Sequence, residues 1–392
     1  MGRGLTIPSE IVGHSSDPAE RAARLALEER STFASHWVPV VRSSELLERG
    51  EFRALDLAGV SVAVVRQEKG GAAHGFVNAC IHRGACILRT SEGRTEHIVC
   101  PYHGFRYDRT GALMTAPMGH TFPKDLGEAR LKPVGTQEKY GWIWVRVDGE
   151  DTGLAAALGG DLIGELERWP LADWSVVNAQ TSEHAFDWKI GIEAFLEPLH
   201  VPTIHARSAH PMVDVRNMAA RRLGRHSRMA LPFRSPKVFE PNGLIGSVAA
   251  RAGVVPPASL LTVQRRAHFV YFVHPATVLM LFPTHGLFLR FLPAGVGRTQ
   301  LSYELLAAPA TDEASERWRR SLIPGYDTLL EEDLENLPWI ERGLRSGRIE
   351  SHALSALEIR IAWFRDALRA DRQAVEDATS RREQSPGLDQ CR

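Results

Sequence analysis

The chain is predicted to be an α+β protein, a small antiparallel β domain followed by a larger domain of strands and helices. Three observations predict this. Across residues 52–147 the sequence consists of short alternating or β-branched runs, at 60–65, 97–99 and 142–147, broken by turn signals at Gly70-Gly71 and Arg109-Thr110-Gly111. Beyond a Gly-containing segment near 149–160, strand patterns at 269–292 and 299–306 are segregated from helical ones at 188–199, 313–342 and 354–377, which is α+β character. Ahead of both, Asp17-Pro18-Ala19-Glu20 supplies an N-cap, a proline and an acidic first turn for a helix over 17–33, and a shorter helical piece is expected after Ser43-Ser44. Residues 243–259, rich in Gly, Ala, Val and Pro, read as a long loop, and the tail 381–392 as frayed. There is no internal repeat.

The bulk properties narrow the function. Lys+Arg 47 balance Asp+Glu 47, so no net charge draws the protein to nucleic acid or an anionic membrane, and a small molecule or a protein is the expected partner. The first residues lack an apolar signal core, and the longest apolar runs, such as 276–282, are too short to span a bilayer, so a cytoplasmic location is expected. Met1, Gly2 and Thr6 fit the short myristoylation pattern, which is too degenerate to carry weight. The 4 cysteines are too few for a disulfide scaffold in 392 residues, and two of them sit beside histidines.

Those two carry the strongest signal. Cys80-Ile81-His82-Arg83-Gly84 and Cys100-Pro101-Tyr102-His103-Gly104 each offer one thiolate and one imidazole on a Gly-terminated loop. A Rieske [2Fe-2S] cluster needs this set, with two Cys on one iron and two His on the other. A structural zinc site uses the same donors, but a zinc finger places both cysteines in one half and both histidines in the other. Gly84 and Gly104 allow the backbone to turn closely around the cluster. Cys86 falls outside the spacing and reads as a small buried hydrophobe, and Cys391 as tail. Arg83 is expected to pack over the cluster.

Downstream, Glu197-Pro198-Leu199-His200-Val201-Pro202-Thr203-Ile204-His205 places two histidines five apart behind an apolar helical face. A non-haem Fe(II) that activates dioxygen takes two imidazoles and one carboxylate. Five residues turn a regular helix by about 140°, so the prolines are expected to break or widen it, and a π-like turn would bring the rings together. His184, His210, His274 and His285 have no partner pattern and are expected in core or surface roles.

The two cluster loops, extended to Asn78-Ala79 and to Phe105-Arg106-Tyr107-Asp108, together with Gly141-Trp142-Ile143-Trp144-Val145, resemble the α subunits of Rieske non-haem iron oxygenases, Phe105 standing where many members have Trp. The resemblance extends from Trp37 to about Phe364. It implies a Rieske domain over 37–151, a helix-grip catalytic domain over 152–380 and a helical lead over 1–36 packed on the catalytic part. It further implies mononuclear iron on His200, His205 and a late carboxylate. Glu331-Glu332-Asp333-Leu334-Glu335-Asn336 resembles the family segment that supplies it, which picks out Asp333, with Glu332 as the alternate. Glu197 has the position of the bridging acid between an iron-ligand His and a cluster His of a neighbouring subunit. Most ring dioxygenases have Asp there, and members acting on quaternary amines have Glu. Ala194 and Leu199 depart from the family's Asn and Tyr.

By the same resemblance, electrons come one at a time from an NADH- or NADPH-dependent reductase, with or without a ferredoxin, enter at His82 or His103 and pass through Glu197 to the iron, in a head-to-tail ring, most often a trimer. The expected activity is oxidation of a small organic molecule with O2, by hydroxylation, dealkylation or cyclisation, mono- or dioxygenation alike. The expected pocket wall is 276–292, with Phe282, Phe288 and Phe291, an apolar lining that suits an aromatic substrate. The competing readings are an electron carrier with no iron beyond the cluster and a zinc-stabilised binding protein.

Overall fold

Phe52 faces Val65 and Leu57 faces Val60 across a tight turn in which Ala58 and Gly59 both take positive φ, the geometry that a two-residue hairpin requires. This hairpin lies toward one edge of a seven-stranded antiparallel sheet whose central strand is Ala73–Val77. In spatial order it contains Val38–Arg42, Trp142–Arg146, Pro133–Lys139, Ala73–Val77, Val60–Arg66, Glu51–Leu57 and Glu92–Arg94. A smaller sheet of Ile98–Val99, Arg106–Tyr107 and Leu113–Thr115 carries the second cluster loop. In the computed structural model the described residues are 5–8, 15–148, 152–235, 237–239, 244–349 and 351–383. They divide into two units, 33–157 and 1–32 with 158–392.

The larger unit is built on a second seven-stranded antiparallel sheet in the order Ser175–His184, Thr299–Ala307, His285–Pro293, Thr277–Leu281, Ala267–Val273, His226–Pro232 and Ala219–Leu223. Its central strands are buried along their whole length, as a sheet covered on both faces requires. Helix Trp188–Ala194 lies directly on it: a Cβ on Gly191 would come within 2.5 Å of the Phe291 ring, so only glycine permits this approach. The helix starts on Asp187, whose carboxylate accepts the Lys189 N–H.

The N-terminal segment belongs to this same unit. Leu5–Pro8 pairs with Ser351–Leu354, and helix Pro18–Glu28 is capped by Asp17. Glu28, at the end of that helix, accepts hydrogen bonds from Lys189 Nζ at 2.8 and 2.9 Å and from Trp188 Nε1 at 3.0 Å, all three side chains buried. The lead therefore contains a strand as well as a helix, and its ion pair anchors the helix that precedes Glu197.

Several expectations change. The stretch 243–259 contains helix Leu244–Arg251, an apolar segment whose Gly246 masked its helical character. The long helical stretch at 313–342 is three helices, Glu313–Ser321, Ile323–Leu334 and Leu337–Leu344, divided where Pro324 and Pro338 open new first turns. Residues 351–354 are strand before helix Ile359–Glu383 begins, and that helix runs past 381. Met1, Gly2, Cys391 and the tail beyond 383 lie outside the described residues. No helix among the described residues is long and apolar enough to cross a membrane.

Candidate active site and cluster site

In the smaller unit the two Cys-His loops are built alike. Cys80 N–H donates to Ala85 O and Gly84 N–H to Cys80 O, and in the second loop Cys100 N–H donates to Phe105 O and Gly104 N–H to Cys100 O, all at 2.8–3.0 Å. A bridge between Ala79 and Cys86 closes the first loop as Val99 and Arg106 close the second. Gly84 and Gly104 share φ 73°, a left-handed conformation that favours glycine at the same place in both loops. Two local segments of sequence thus make two equivalent prongs.

The prongs present Cys80 and Cys100, both buried, and His82 and His103, whose rings lie 4.6 Å apart and both half-buried. His82 Nδ1 is buried and without a hydrogen-bond partner, as expected of a nitrogen reserved for a metal. Burial works against the Cys100 thiolate, but N–H groups of Tyr102 and His103 outweigh it and hold the thiol below its ordinary range. Burial pushes Cys80 up despite the Tyr107 hydroxyl 3.0 Å from its sulfur. The set of two thiols, two imidazoles and a free buried Nδ1 fits a [2Fe-2S] cluster. Phe105 stacks on His82 at 4.8 Å and 9°, the aromatic cover expected of it. Arg83 lies 5.5 Å from the Tyr102 ring centroid. Cys86 is exposed and accepts from Asn78 Nδ2 at 3.3 Å, so it is not the buried hydrophobe its type suggests.

In the larger unit the chain after Ala194 breaks as the prolines require, but not as a π turn. His200 is the N-cap and His205 the C-cap of a four-residue helix, Val201–Ile204, with Pro202 in its first turn. The histidines thus bracket the turn, His200 with helical backbone angles and His205 outside them, and the rings lie 5.1 Å apart at 72°. Asp333, buried on helix Ile323–Leu334, completes the group: its Oδ1 is 3.0 Å from His205 Nε2 and 3.5 Å from His200 Nε2. One ligand atom from each of the three residues lies within 4.8 Å of the others.

The opposite ring nitrogens are held by two further carboxylates. Glu197 Oε1 lies 2.5 Å from His200 Nδ1, and Glu332 Oε2 lies 2.7 Å from His205 Nδ1. Ser208 Oγ donates to Glu332, while Glu197 Oε2 accepts the His200 N–H at 3.2 Å and that of Leu199. Burial opposes protonation of both imidazoles, but the surrounding carboxylates win and raise both above the ordinary histidine range. Burial likewise opposes ionisation of Glu332, which Ser208 and His205 reverse, holding its carboxyl low. Two Nε2 atoms and a carboxylate facing inward, each imidazole oriented from behind by an acid, is a donor set that fits a two-His, one-carboxylate iron.

This group opens into a cavity of about 340 Å³ between the helices and the sheet. The strand period of two decides the wall: Met229 and Leu231, His268 and Val270, Met280 and Phe282 line it from neighbouring strands. Phe282 is a wall residue, as expected. Phe288 is absent from the lining, on the other face of its strand, and Phe291 packs against Phe195 and Gly191 instead. His285 is a buried lining residue, and so is His268, which the sequence reading passed over. Its signal was a lone histidine in the otherwise apolar and aromatic run Ala267–Val273.

Residues 171–372, more than half of the chain, match the family model described as the catalytic domain of the ring hydroxylating alpha subunit. The chain belongs to this family. Residues 36–125 match the Rieske [2Fe-2S] domain, and the pair of domains sets aside both the plain electron carrier and the structural-zinc readings. The oxygenase is 26% identical over 87% of its length to the carnitine monooxygenase oxygenase subunit of Escherichia coli, covering 88% of that protein. It is 28% identical to the glycine betaine monooxygenase oxygenase subunit of Chromohalobacter salexigens, a match over 48% of this chain and only 42% of that one. Among solved structures, a quaternary ammonium Rieske monooxygenase shares the fold with a TM-score of 0.74 at 19% identity, over 94% of this chain and 95% of that one. Naphthalene 1,2-dioxygenase from Rhodococcus sp. does so with 0.73 at 21%, over 94% of each. The oxygenase subunits of this family use a Rieske cluster and a mononuclear iron.

Proposed function

We propose that this chain is the oxygenase component of a multicomponent cytoplasmic enzyme that oxidises a small apolar or aromatic molecule with O2 and electrons from a separate NAD(P)H-dependent reductase. The observation that carries the reading is the convergence of His200 Nε2, His205 Nε2 and Asp333 Oδ1 at the edge of an apolar cavity. Cys80, His82, Cys100 and His103 would hold the cluster, and His200, His205 and Asp333 the iron. When bound, the cluster supplies single electrons and the iron activates dioxygen.

The chain's own residues do the rest. Glu197 and Glu332 accept the Nδ1 protons, which fixes the tautomer and turns both Nε2 lone pairs inward. The cavity wall, apart from a few polar atoms, excludes water from the side on which a substrate would lie. Exposed Tyr102 beside His103 supports electron entry at the cluster edge, and the part-exposed Glu197 supports the bridging role in a head-to-tail ring of subunits, most simply a trimer.

Turnover of an aromatic panel under ¹⁸O2 with a reductase pair tests the reading. The native enzyme is expected to place label in an organic product, and Asp333→Ala to place none while keeping its cluster absorption. Unlabelled products, or an Asp333→Ala enzyme as active as the native one, would overturn it.

A further inference from the structure

The cavity holds a buried polar atom that nothing among the described residues satisfies. His268 retains only 6% of its surface, lines the cavity, and its Nε2 has no hydrogen-bond partner. Its ring stacks on Phe282 at 4.1 Å and 8°, and Phe282 in turn stacks on His285 at 5.0 Å and 10°. The two histidines of this stack differ. His285 is satisfied at both nitrogens, with Thr284 Oγ1 3.0 Å from Nδ1 and the Tyr326 hydroxyl 2.6 Å from Nε2. His268 is pinned by the stack with its Nε2 left over, and buried polar atoms are rarely left so without a water or a ligand to complete them; this one faces the cavity beside the iron-site group.

The charge inventory of the wall is equally specific. Among the described lining residues none is Lys or Arg, and the acids are Glu197 and Asp333, each already committed to His200 or His205. A betaine such as carnitine carries a carboxylate that would have no cation to meet here, whatever Glu at position 197 suggests about quaternary amines. Burial, aided by the charge of neighbouring His285, pushes the His268 imidazole down to about 3, so the ring is neutral near pH 7 and Nε2 can either donate or accept.

We infer that His268 is a specificity-determining residue: its Nε2 hydrogen-bonds the polar substituent, a hydroxyl, carbonyl or ring N–H, of an uncharged and otherwise apolar ring compound. The inference rests on the oxygenase reading for taking this cavity as the substrate site. Phe195, Phe239, Phe282 and Tyr326 give the ring its apolar surroundings, and the one hydrogen bond fixes which edge of the ring faces the His200, His205 and Asp333 group. Rejection of analogues lacking the substituent follows from the cost of leaving Nε2 buried and unpaired.

Calorimetry on the oxidised, iron-loaded holoenzyme tests this with 1-indanone and its hydrocarbon counterpart indane. His268→Phe keeps the stack on Phe282 and removes the nitrogen. It is expected to weaken 1-indanone binding by about tenfold or more while leaving indane within about threefold, with iron content per chain unchanged. His268→Gln, which keeps a hydrogen-bonding end, is expected to retain part of the 1-indanone affinity. Equal loss for both probes, no loss for either, or a fall in iron content would overturn the assignment of His268 alone. If neither probe binds the iron-loaded native enzyme, or if glycine betaine binds in their place, the apolar-substrate reading itself fails and this inference with it.

Discussion

Glu332 and Asp333 are adjacent acids that both reach His205, and substituting them separates a metal ligand from the group behind it. Glu332 Oε2 lies 2.7 Å from Nδ1 and accepts from Ser208 as well, whereas Asp333 Oδ1 lies 3.0 Å from Nε2 on the side where the His200 Nε2 converges. Loss of such an outer carboxylate lowers metal affinity by about 10- to 100-fold, or roughly 1.4–2.7 kcal/mol. Glu332→Gln still offers an amide oxygen to the Nδ1 proton. It exchanges a charged acceptor for a neutral one, a difference of about 1 kcal/mol, and should fall near the lower end of that range. Glu332→Ala leaves Nδ1 without its acceptor and should fall near the upper end. Asp333→Ala removes an inward-facing donor and should leave the site without stoichiometric iron. The assay is equilibrium competition for Fe(II) with a graded chelator, scaled to cluster absorption in the same sample. A Glu332→Gln protein that loses iron as completely as Asp333→Ala, or an Asp333→Ala protein that holds iron like the native one, would refute the assignment.

Three further outcomes are expected. Lys189→Met leaves Glu28 buried without its cation, and breaking such a pair costs about 3–5 kcal/mol; chemical denaturation of the larger unit reads this, and a change under about 1 kcal/mol would contradict the anchoring role. Tyr107→Phe removes a hydroxyl 3.0 Å from Cys80 Sγ that favours the more negative, reduced cluster. The potential should drop by about 40 mV, taking about 1 kcal/mol for the bond and 59 mV per tenfold for one electron, and an unchanged midpoint in protein-film voltammetry would count against that contact. Cys86→Ala should leave sulfide content and visible absorption unaltered, because Cys86 is exposed and its part in closing the first loop is made by backbone; loss of colour would show a ligand role.

The parts of the protein that were legible in the sequence are those whose partners lie close together in the chain. Each cluster prong is a hairpin tip in which Cys and Gly are four apart, so residue spacing alone encodes its geometry. The His200 and His205 pair was visible for the same reason, but its shape was not: two prolines can widen a helix or end it, and tertiary packing made His200 and His205 the two caps of a single short turn. The third donor depended on a contact across more than a hundred residues. In Glu331-Glu332-Asp333-Leu334-Glu335 acids point in most directions around a helix, and only burial separates Asp333, at 5% exposure, from its neighbours. His268 was illegible because a lone histidine in an apolar strand is most often a satisfied core residue. What distinguishes it is the missing partner at Nε2, which only the fold reveals.

The central claim is that one chain holds both a Rieske cluster and a separate iron. Iron and acid-labile sulfide analysis of anaerobically purified protein, with an absorption spectrum, tests it most directly. About three irons and two sulfides per chain are expected, falling to about two irons with the sulfide and brown colour retained in His200→Ala. Zinc without sulfide, or a third iron that survives the His200 substitution, would contradict the account.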